Sequence, residues 1–332
     1  MTTASEPWSV PIAAVSATEA AELADRAFGL DASATTLASE RDQNFALTCA
    51  DGGRYVLKLT HPAEPRSFTL WQTAALLHAA RRDPALPLPQ LVAARDGAAH
   101  ADIEVGGVRR IARVMTLLPG IPLWRANPHP GQHEAIGCAL ARLHQALDTL
   151  DCEPAPIDLL WDLRRAPRLG DLLPHITDDA ERATVAQVLD ELERHTLPSL
   201  ARLPTQALHN DFQPWNLLVD ETESACITGI IDFGDMVAAP RIMDLAVACA
   251  YHLADAPATT PLADIAAITQ GYESRLPLAS AERALLLPLV AGRLAMTLAI
   301  TSWRARLHPD NASYILRNAG AARTGLGRLA RH

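Results

Sequence analysis

Apolar and polar positions follow one pattern over the first third of the chain and another over the remainder. Ser16-Ala17-Thr18-Glu19 has the spacing of a capping box, and the Ala/Leu-rich stretch behind it keeps a helical period up to Gly29, a residue suited to a C-cap. Phe45-Ala46-Leu47-Thr48-Cys49 and Tyr55-Val56-Leu57-Lys58-Leu59 flank Asp51-Gly52-Gly53, which predicts a β-hairpin whose turn uses the positive φ open to glycine. Across 66–81 Phe68, Trp71, Ala75 and Leu76 recur at helical spacing, and Pro84, Pro87 and Pro89 end that helix. Strands are predicted at Leu91-Val92-Ala93 and Arg110-Ile111-Ala112-Arg113-Val114-Met115, the second stopped by Leu118-Pro119-Gly120.

From about residue 131 the pattern turns helical. Residues 131–149, 178–195 and 281–305 read as amphipathic helices rich in Ala, Leu and Arg, with one β-like patch around 217–231. The expected class is therefore α+β. A small β-rich N-terminal part with an antiparallel sheet (1–116) leads through a hinge (117–122) into a larger, mainly helical part (123–332).

With 332 residues the chain is long enough for two lobes, each with its own core. A net charge of −9 with no compensating basic face argues against a nucleic-acid partner. Cys49, Cys138, Cys152, Cys226 and Cys249 are scattered, odd in number and form no CxxC pair, which suits free thiols in a reducing compartment. The start, MTTASEPWSVPIAAVS, lacks a basic n-region and a long apolar run, so a cytoplasmic protein is expected. Pro and Arg break the longest apolar runs, so no membrane span is expected.

The chemistry concentrates in His209-Asn210-Asp211-Phe212-Gln213-Pro214-Trp215-Asn216 and in Ile231-Asp232-Phe233-Gly234-Asp235. Phosphoryl transfer needs a group that orients the attacking hydroxyl and hard oxygens that hold Mg2+. Asp211 suits the first task; Asn216 and Asp232 suit the second. Leu217-Leu218-Val219 and Ile227 to Ile231 are apolar strands, and a hairpin built from them brings Asn216 and Asp232 to one end. An ordinary polar turn explains this order of elements far less well. His209 fits a structural role, holding the loop by hydrogen bonds.

Lys58 alternates with apolar neighbours in its strand and is a candidate for nucleotide phosphates, with Gln72 at the helix position where a partner is sought. No GxxxxGK[ST] is present, so a Walker-type site is excluded. The segment Ser39-Glu40-Arg41-Asp42-Gln43-Asn44 is the candidate phosphate cover, through backbone N–H groups, Ser39 and Asn44. Met115, Thr116 and Leu118 line the expected hinge, whose backbone suits a purine edge. Trp161, Trp215, Tyr251 and Trp303 are candidates for core or pocket walls. His129 and His133, with prolines around the first, make a poor metal site.

These residues resemble the aminoglycoside phosphotransferase and choline-kinase-like superfamily. The resemblance rests on His209, Asp211, Asn216, Ile231-Asp232-Phe233-Gly234, the lysine strand Tyr55-Val56-Leu57-Lys58 and Leu86-Pro87-Leu88-Pro89, and spans about 30 to 310. Leu160-Trp161-Asp162-Leu163 and Pro240-Arg241-Ile242-Met243-Asp244-Leu245-Ala246 resemble the hydroxylysine-kinase branch in particular. The resemblance implies a protein-kinase-like two-lobed fold, Mg2+, ATP or GTP as donor, and a small hydroxyl acceptor that carries an amine, such as 5-hydroxylysine. It leaves Asp235, Asp244 or Asp162 for a substrate ammonium, Arg293 or another arginine for a carboxylate, and Trp215 and Tyr251 as pocket walls. Aminoglycoside, homoserine and choline-type acceptors, or a nucleotide-binding module without turnover, are the alternatives.

Overall fold

A computed structural model describes residues 13–39, 41–150, 157–254 and 259–331. The chain divides into two compact units: Met1–Pro119 with Asp151–Asp158 and Gly229–Ile231, and Gly120–Leu150 with Leu159–Thr228 and Asp232–His332.

The first unit begins with α1 (Ala17–Phe28), capped as its sequence implies. The Ser16 hydroxyl accepts from Glu19 N, the Glu19 carboxylate accepts from Ser16 N, and Gly29 adopts φ +71°. An antiparallel sheet follows, built from β1 (Ala32–Leu37), β2 (Gln43–Cys49), β3 (Arg54–Leu59), β4 (Leu91–Val92), β5 (Ala101–Val105) and β6 (Val108–Thr116). Its order is β1-β2-β3-β6-β4, with β5 also on β6. The helix α2 (Arg66–Arg82) lies between β3 and β4 in the chain.

The two-residue period of a strand decides what each face of this sheet carries. Phe45, Leu47, Leu57, Leu59, Ala112 and Val114 point to one side and form a core with Leu23, Ala24 and Phe28 of α1. The intervening residues Asn44, Lys58 and Arg113 stand opposite one another across β2, β3 and β6. A row of polar and cationic side chains is thereby fixed on the other face. The strands β1 and β5 are additional to those predicted: the residues of β1 are mostly exposed, whereas Ala101-Asp102-Ile103-Glu104-Val105 alternates, with Ala101, Ile103 and Val105 on the core and Asp102 and Glu104 exposed.

β7 (Ile121–Pro122) pairs with β9 (Leu217–Val219), and β10 (Ile227–Ile230) completes a three-stranded sheet in the order β10-β9-β7. Gly120 is required here. Its φ is +103°, and a Cβ would stand 2.5 Å from the Val219 carbonyl oxygen. The strand β8 (Gln206–Leu208) pairs antiparallel with β11 (Val237–Ala239). The helices are α3 (Gln132–Leu147), α4 (Asp179–Glu191), the single turn α5 (Leu197–Leu200), α6 (Ile242–Ala250), α7 (Ala263–Glu273), α8 (Ser280–Leu307), the short α9 (Ala312–Ile315) and α10 (Ala319–Leu329).

Residues Leu163–His175 form a 3-10 run rather than an α-helix, consistent with Pro167 and Pro174 inside it. Each residue of α6 is buried, so it shows no amphipathic stripe. By length and composition alone α8 is long and apolar enough to cross a membrane, but 78% of its most apolar window is buried inside the protein. Its apolar surface is used in packing. Cys49, Cys138, Cys226 and Cys249 are free thiols; Cys152 lies outside the described residues.

Candidate active site

The second unit assembles the segment between β8 and β9. Strand β8 delivers His209, β9 begins just after Asn216, and the reversal between them requires Asn210 at φ +65°, a left-handed conformation that Asn tolerates better than most residues. Both side-chain polar atoms of Asn210 are buried without a hydrogen-bond partner. The backbone is held from below by α6. One Asp244 oxygen accepts from His209 N (2.8 Å) and the other from Asn210 N (2.6 Å). His144 Nε2 lies 3.1 Å from the same carboxylate, and its Nδ1 is 2.8 Å from the Tyr272 hydroxyl. The His209 ring is packed between Phe212 and Phe233, and its Nδ1 accepts from Asp211 N.

This scaffold presents Asp211. Its Oδ2 accepts from Asn216 Nδ2 (2.7 Å) and Gln213 Nε2 (2.9 Å), and its Oδ1 accepts from Arg293 Nη2 (2.9 Å). Burial pushes the Asp211 carboxyl above the ordinary carboxylate range, the Arg293 charge pulls it back, and Asp235 pushes it up again. A carboxylate whose ionisation is disfavoured by its surroundings is a hydrogen-bond acceptor of unusual sensitivity to whatever hydroxyl approaches it.

Asn216 turns its amide nitrogen to Asp211, bonding both the carboxylate and the backbone carbonyl, so its own carbonyl oxygen is directed away. The strands β9 and β10 are neighbours joined by a turn in which Asp220 N donates to Cys226 O. Asn216 precedes β9 and Asp232 follows β10, which puts both at the open end of that hairpin. Asp232 is exposed, adopts φ +62° and accepts from Gly234 N at 3.3 Å. A left-handed backbone on a non-glycine residue is uncommon and clusters at functional positions. Among the described residues no group of three or more His, Cys, Asp or Glu side chains is placed to hold a metal ion. His133 lies 3.5 Å from Asp264 and edge-on to His252, whose pKa burial and His133 together push down to about 3.

Three assignments for a substrate are revised. Asp244 is fully buried and both its oxygens serve the backbone of the 209–210 segment. Asp162 caps the 3-10 run through Arg164 N and pairs with the Arg164 guanidinium. Neither is placed for a substrate ammonium. Arg293 is buried against Asp211, Tyr251 OH and the Trp161 carbonyl, and its guanidinium lies over the Trp161 and Tyr251 rings, so it is engaged by the protein and not held out for a substrate carboxylate. Asp235 remains beside the pair, close enough to act on both Asp211 and Arg293. Trp161, Trp215 and Tyr251 are half-buried, whereas Trp303 belongs to the core.

In the first unit Lys58 Nζ lies 3.0 Å from Asp42. Burial disfavours the Asp42 carboxylate, but Lys58, Arg41 and the His61 N–H outweigh it and hold its pKa below the ordinary value. Gln72, expected beside Lys58, accepts from Arg113 Nη2 at 3.1 Å. Glu64, bonded by the Thr69 hydroxyl, is pushed up by burial and by Asp42. The carboxylate on Lys58 thus comes from the segment before β2, a partner that no helical spacing announces. Asn44 stands across from Lys58 in register and its Oδ1 is buried without a partner. The Ser39 hydroxyl donates to the Asp42 carbonyl. Glu40 lies outside the described residues. At the end of β6, Thr116 N donates to Gln90 O and Thr116 Oγ1 accepts from Gln90 N; Met115 and Leu118 are half-buried.

Comparison with known proteins decides the family. Residues 33–279 match the phosphotransferase enzyme family. The chain belongs to that family. It is similar to hydroxylysine kinase of Danio rerio (27% identical, over 96% of this chain and 91% of the relative) and to homoserine kinase of Gluconacetobacter diazotrophicus (30% identical, over 76% and 74%). Among solved structures it superimposes on a microcompartment-associated aminopropanol kinase with a TM-score of 0.72 at 20% identity, covering 95% of this chain and 96% of the other. The fold is therefore the kinase-like one expected from the motifs, with an antiparallel sheet and a mainly helical part. As a member of this family the chain is a small-molecule phosphotransferase that acts on an alcohol group.

Proposed function

We propose that this phosphotransferase moves the γ-phosphoryl group of ATP or GTP, with Mg2+, onto the hydroxyl of a small acceptor bearing an amine, 5-hydroxylysine or a related hydroxy-amino acid. The carrying observation is Asp211, a half-buried carboxylate fixed by Asn216, Gln213 and Arg293 on a segment braced by Asp244. Its lone pairs exceed these three donors, so it still accepts from an incoming hydroxyl and aims the oxygen for in-line attack. The loose transition state of phosphoryl transfer asks for orientation more than early proton removal.

Asn216 and Asp232 would hold Mg2+. The donor set fits: a carboxamide oxygen and a carboxylate are hard ligands, and a cation of this kind takes one or two protein ligands together with phosphate oxygens. Bound there, Mg2+ supplies neutralisation of the charge on the phosphates. Lys58, held by Asp42, would contact the phosphates, with Ser39, Asn44 and the backbone around them as cover and Met115, Thr116 and Leu118 toward the base. Residues 1–116 would serve the nucleotide and 123–332 the acceptor, with 117–122 joining them.

The test is a nucleotide-consumption assay with ATP and GTP over 5-hydroxylysine, homoserine, 3-aminopropan-1-ol, ethanolamine, choline and aminoglycosides. Turnover confined to acceptors with an amine near the hydroxyl supports the reading. Tight nucleotide binding with no consumption on any acceptor replaces it with that of a module without turnover.

A further inference from the structure

We propose that Arg241 is a positioning residue for phosphoryl transfer: its fork on Glu282 ties the start of α8 to the start of α6, so that the two side chains gripping the Asp211 segment, Arg293 from α8 and Asp244 from α6, are held in one frame. This deepens the reading above and rests on it.

The Arg241 guanidinium meets the Glu282 carboxylate through two bonds, Nε to Oε1 at 2.7 Å and Nη2 to Oε2 at 2.9 Å, and Nη2 also donates to the Pro277 carbonyl at 2.8 Å. Glu282 is buried, and its Oε2 accepts from Ala279 N as well. Burial pushes its carboxyl up; the bonds from Arg241 and Ala279 N outweigh that and hold it below the ordinary value. A fork on a buried carboxylate fixes both the distance and the direction between the elements that carry the two groups, which a point charge does not.

The places of the two residues give the pair its reach. Arg241 stands at the N-cap of α6, one turn before Asp244. Glu282 lies in the first turn of α8, and Arg293 follows it about three turns later on the same face of the helix. The hydrogen-bond ladder is interrupted between them, because Pro288 has no N–H to give the Ala284 carbonyl. The course of α8 on either side of that break therefore depends on side-chain anchors, Glu282 on one side and Arg293 on the other.

The contacts close into a ring. Asp244 accepts from His209 N and Asn210 N, Arg293 Nη2 donates to Asp211 Oδ1, and Arg241 with Glu282 joins the two helices from which they come. A cross-brace runs inside it. His144 bridges Asp244 and the Tyr272 hydroxyl, and the Tyr272 phenol, pushed up by burial, is pulled down by Arg241 beside it. A shift of α8 against α6 would move the Asp211 carboxylate relative to its own backbone, and a misplacement of about 1 Å at a reacting group costs on the order of 100-fold in rate.

Arg241→Met, Arg241→Lys and Glu282→Gln test this in the full chain. Arg241→Met should lower kcat by about 10–100-fold with KM for nucleotide and acceptor unchanged, and Arg241→Lys, which keeps the charge and loses the fork, should lose less. In the double variant with Arg293→Met the loss should stay close to that of Arg293→Met alone, since the two act on one group. Losses that multiply, or a lower Tm with kcat per folded molecule unchanged, overturn the assignment, because an arginine that merely stabilises the fold does no more than that. Hydrogen exchange supplies a readout without turnover. The His209 and Asn210 amides should exchange faster in Arg241→Met and Glu282→Gln, while those of β2 and β3 keep their protection. Faster exchange confined to that segment, alongside normal turnover of Asp211→Asn, sustains the brace and overturns the role of Asp211. Unchanged exchange and unchanged kcat in the Arg241 variants, alongside an inactive Asp211→Asn, do the reverse.

Discussion

Arg293 Nη2 donates to Asp211 Oδ1 across 2.9 Å, joining the middle of α8 to the segment between β8 and β9, with both side chains largely withdrawn from water. A buried carboxylate without its cation is costly, and Arg293 opposes the upward push that burial and Asp235 give the Asp211 carboxyl.

Replacing Asp211 by Asn keeps the shape and removes the charge. Turnover should fall about 10²–10⁴-fold, the usual loss for a general acid–base group, with nucleotide affinity retained. Steady-state kinetics and calorimetry on the same preparation check both halves. Near-normal turnover would take Asp211 out of the reaction.

Arg293→Met tests the pair itself. Arg293 lowers the Asp211 pKa against burial and Asp235, so its removal lets that pKa rise further. A group needed in its ionised form then becomes available only at higher pH, and the acid limb of the kcat profile should move upward. The loss of a buried partner should also lower stability by about 3–5 kcal/mol. Arg293→Lys restores the charge without the fork and should give a smaller displacement. An acid limb that stays in place in both variants contradicts the coupling.

Asp232→Ala should abolish the Mg2+-dependent part of nucleotide binding, since it removes one of the two hard oxygen ligands proposed for the metal. Titrations of nucleotide with and without Mg2+ measure that part directly. Metal-dependent affinity equal to that of the wild type rules the assignment out.

Asp42→Asn addresses the first unit. The folded pKa of Asp42 lies below the ordinary 3.8: burial opposes this, and Lys58, Arg41 and the His61 N–H prevail. A depressed folded value means a stabilisation that is present above 3.8 and is lost as the pH falls through the folded pKa. The variant should be less stable at neutral pH and should lose less on further acidification below 3.8. Urea midpoints across that pH range give the comparison, and parallel curves would deny Asp42 this role.

Gly137→Ala tests a helix crossing. A Cβ at Gly137 of α3 would stand 1.9 Å from the Ile268 carbonyl oxygen of α7, and one at Gly271 of α7 would stand 2.0 Å from that of Glu134. Backbone carbonyls cannot swing aside as a side chain does, so the helices must separate. A loss of about 1–3 kcal/mol or more is expected, read as a fall in Tm. An unchanged Tm would show that the crossing can loosen without penalty.

Much of the fold was legible where the signal is local. The capping box at Ser16 and Glu19, the glycine turn after Cys49 and the helical spacing over 66–81 each encode their own element, because the interactions that form them lie within a few residues. Strand β1, whose sequence Ala-Ser-Ala-Thr-Thr-Leu faces largely outward, left no such mark, and the prolines of Leu163–His175 hid a 3-10 run that only packing reveals. Asp211, Asn216 and Asp232 could be put forward together from the sequence because the hairpin after the 209–216 segment sets their spacing. The partnerships of Asp42 and Gln213 could not, since a carboxylate or carboxamide in a polar segment looks the same whatever it goes on to meet.

The sequence by itself determined the family and the kind of chemistry, and it supplied the candidate residues for that chemistry, because the order and spacing of a loop and two strands are properties of the chain. Which partner each of those residues meets was decided only by the tertiary structure. Arg293 reaches Asp211 from 82 positions away, Asp244 reaches Asn210 from 34, and Asp42 rather than a residue of α2 supplies the carboxylate on Lys58. Such meetings are closed by the packing of whole helices and sheets, whose driving force is the burial of apolar surface and carries no record of which polar groups it will bring together.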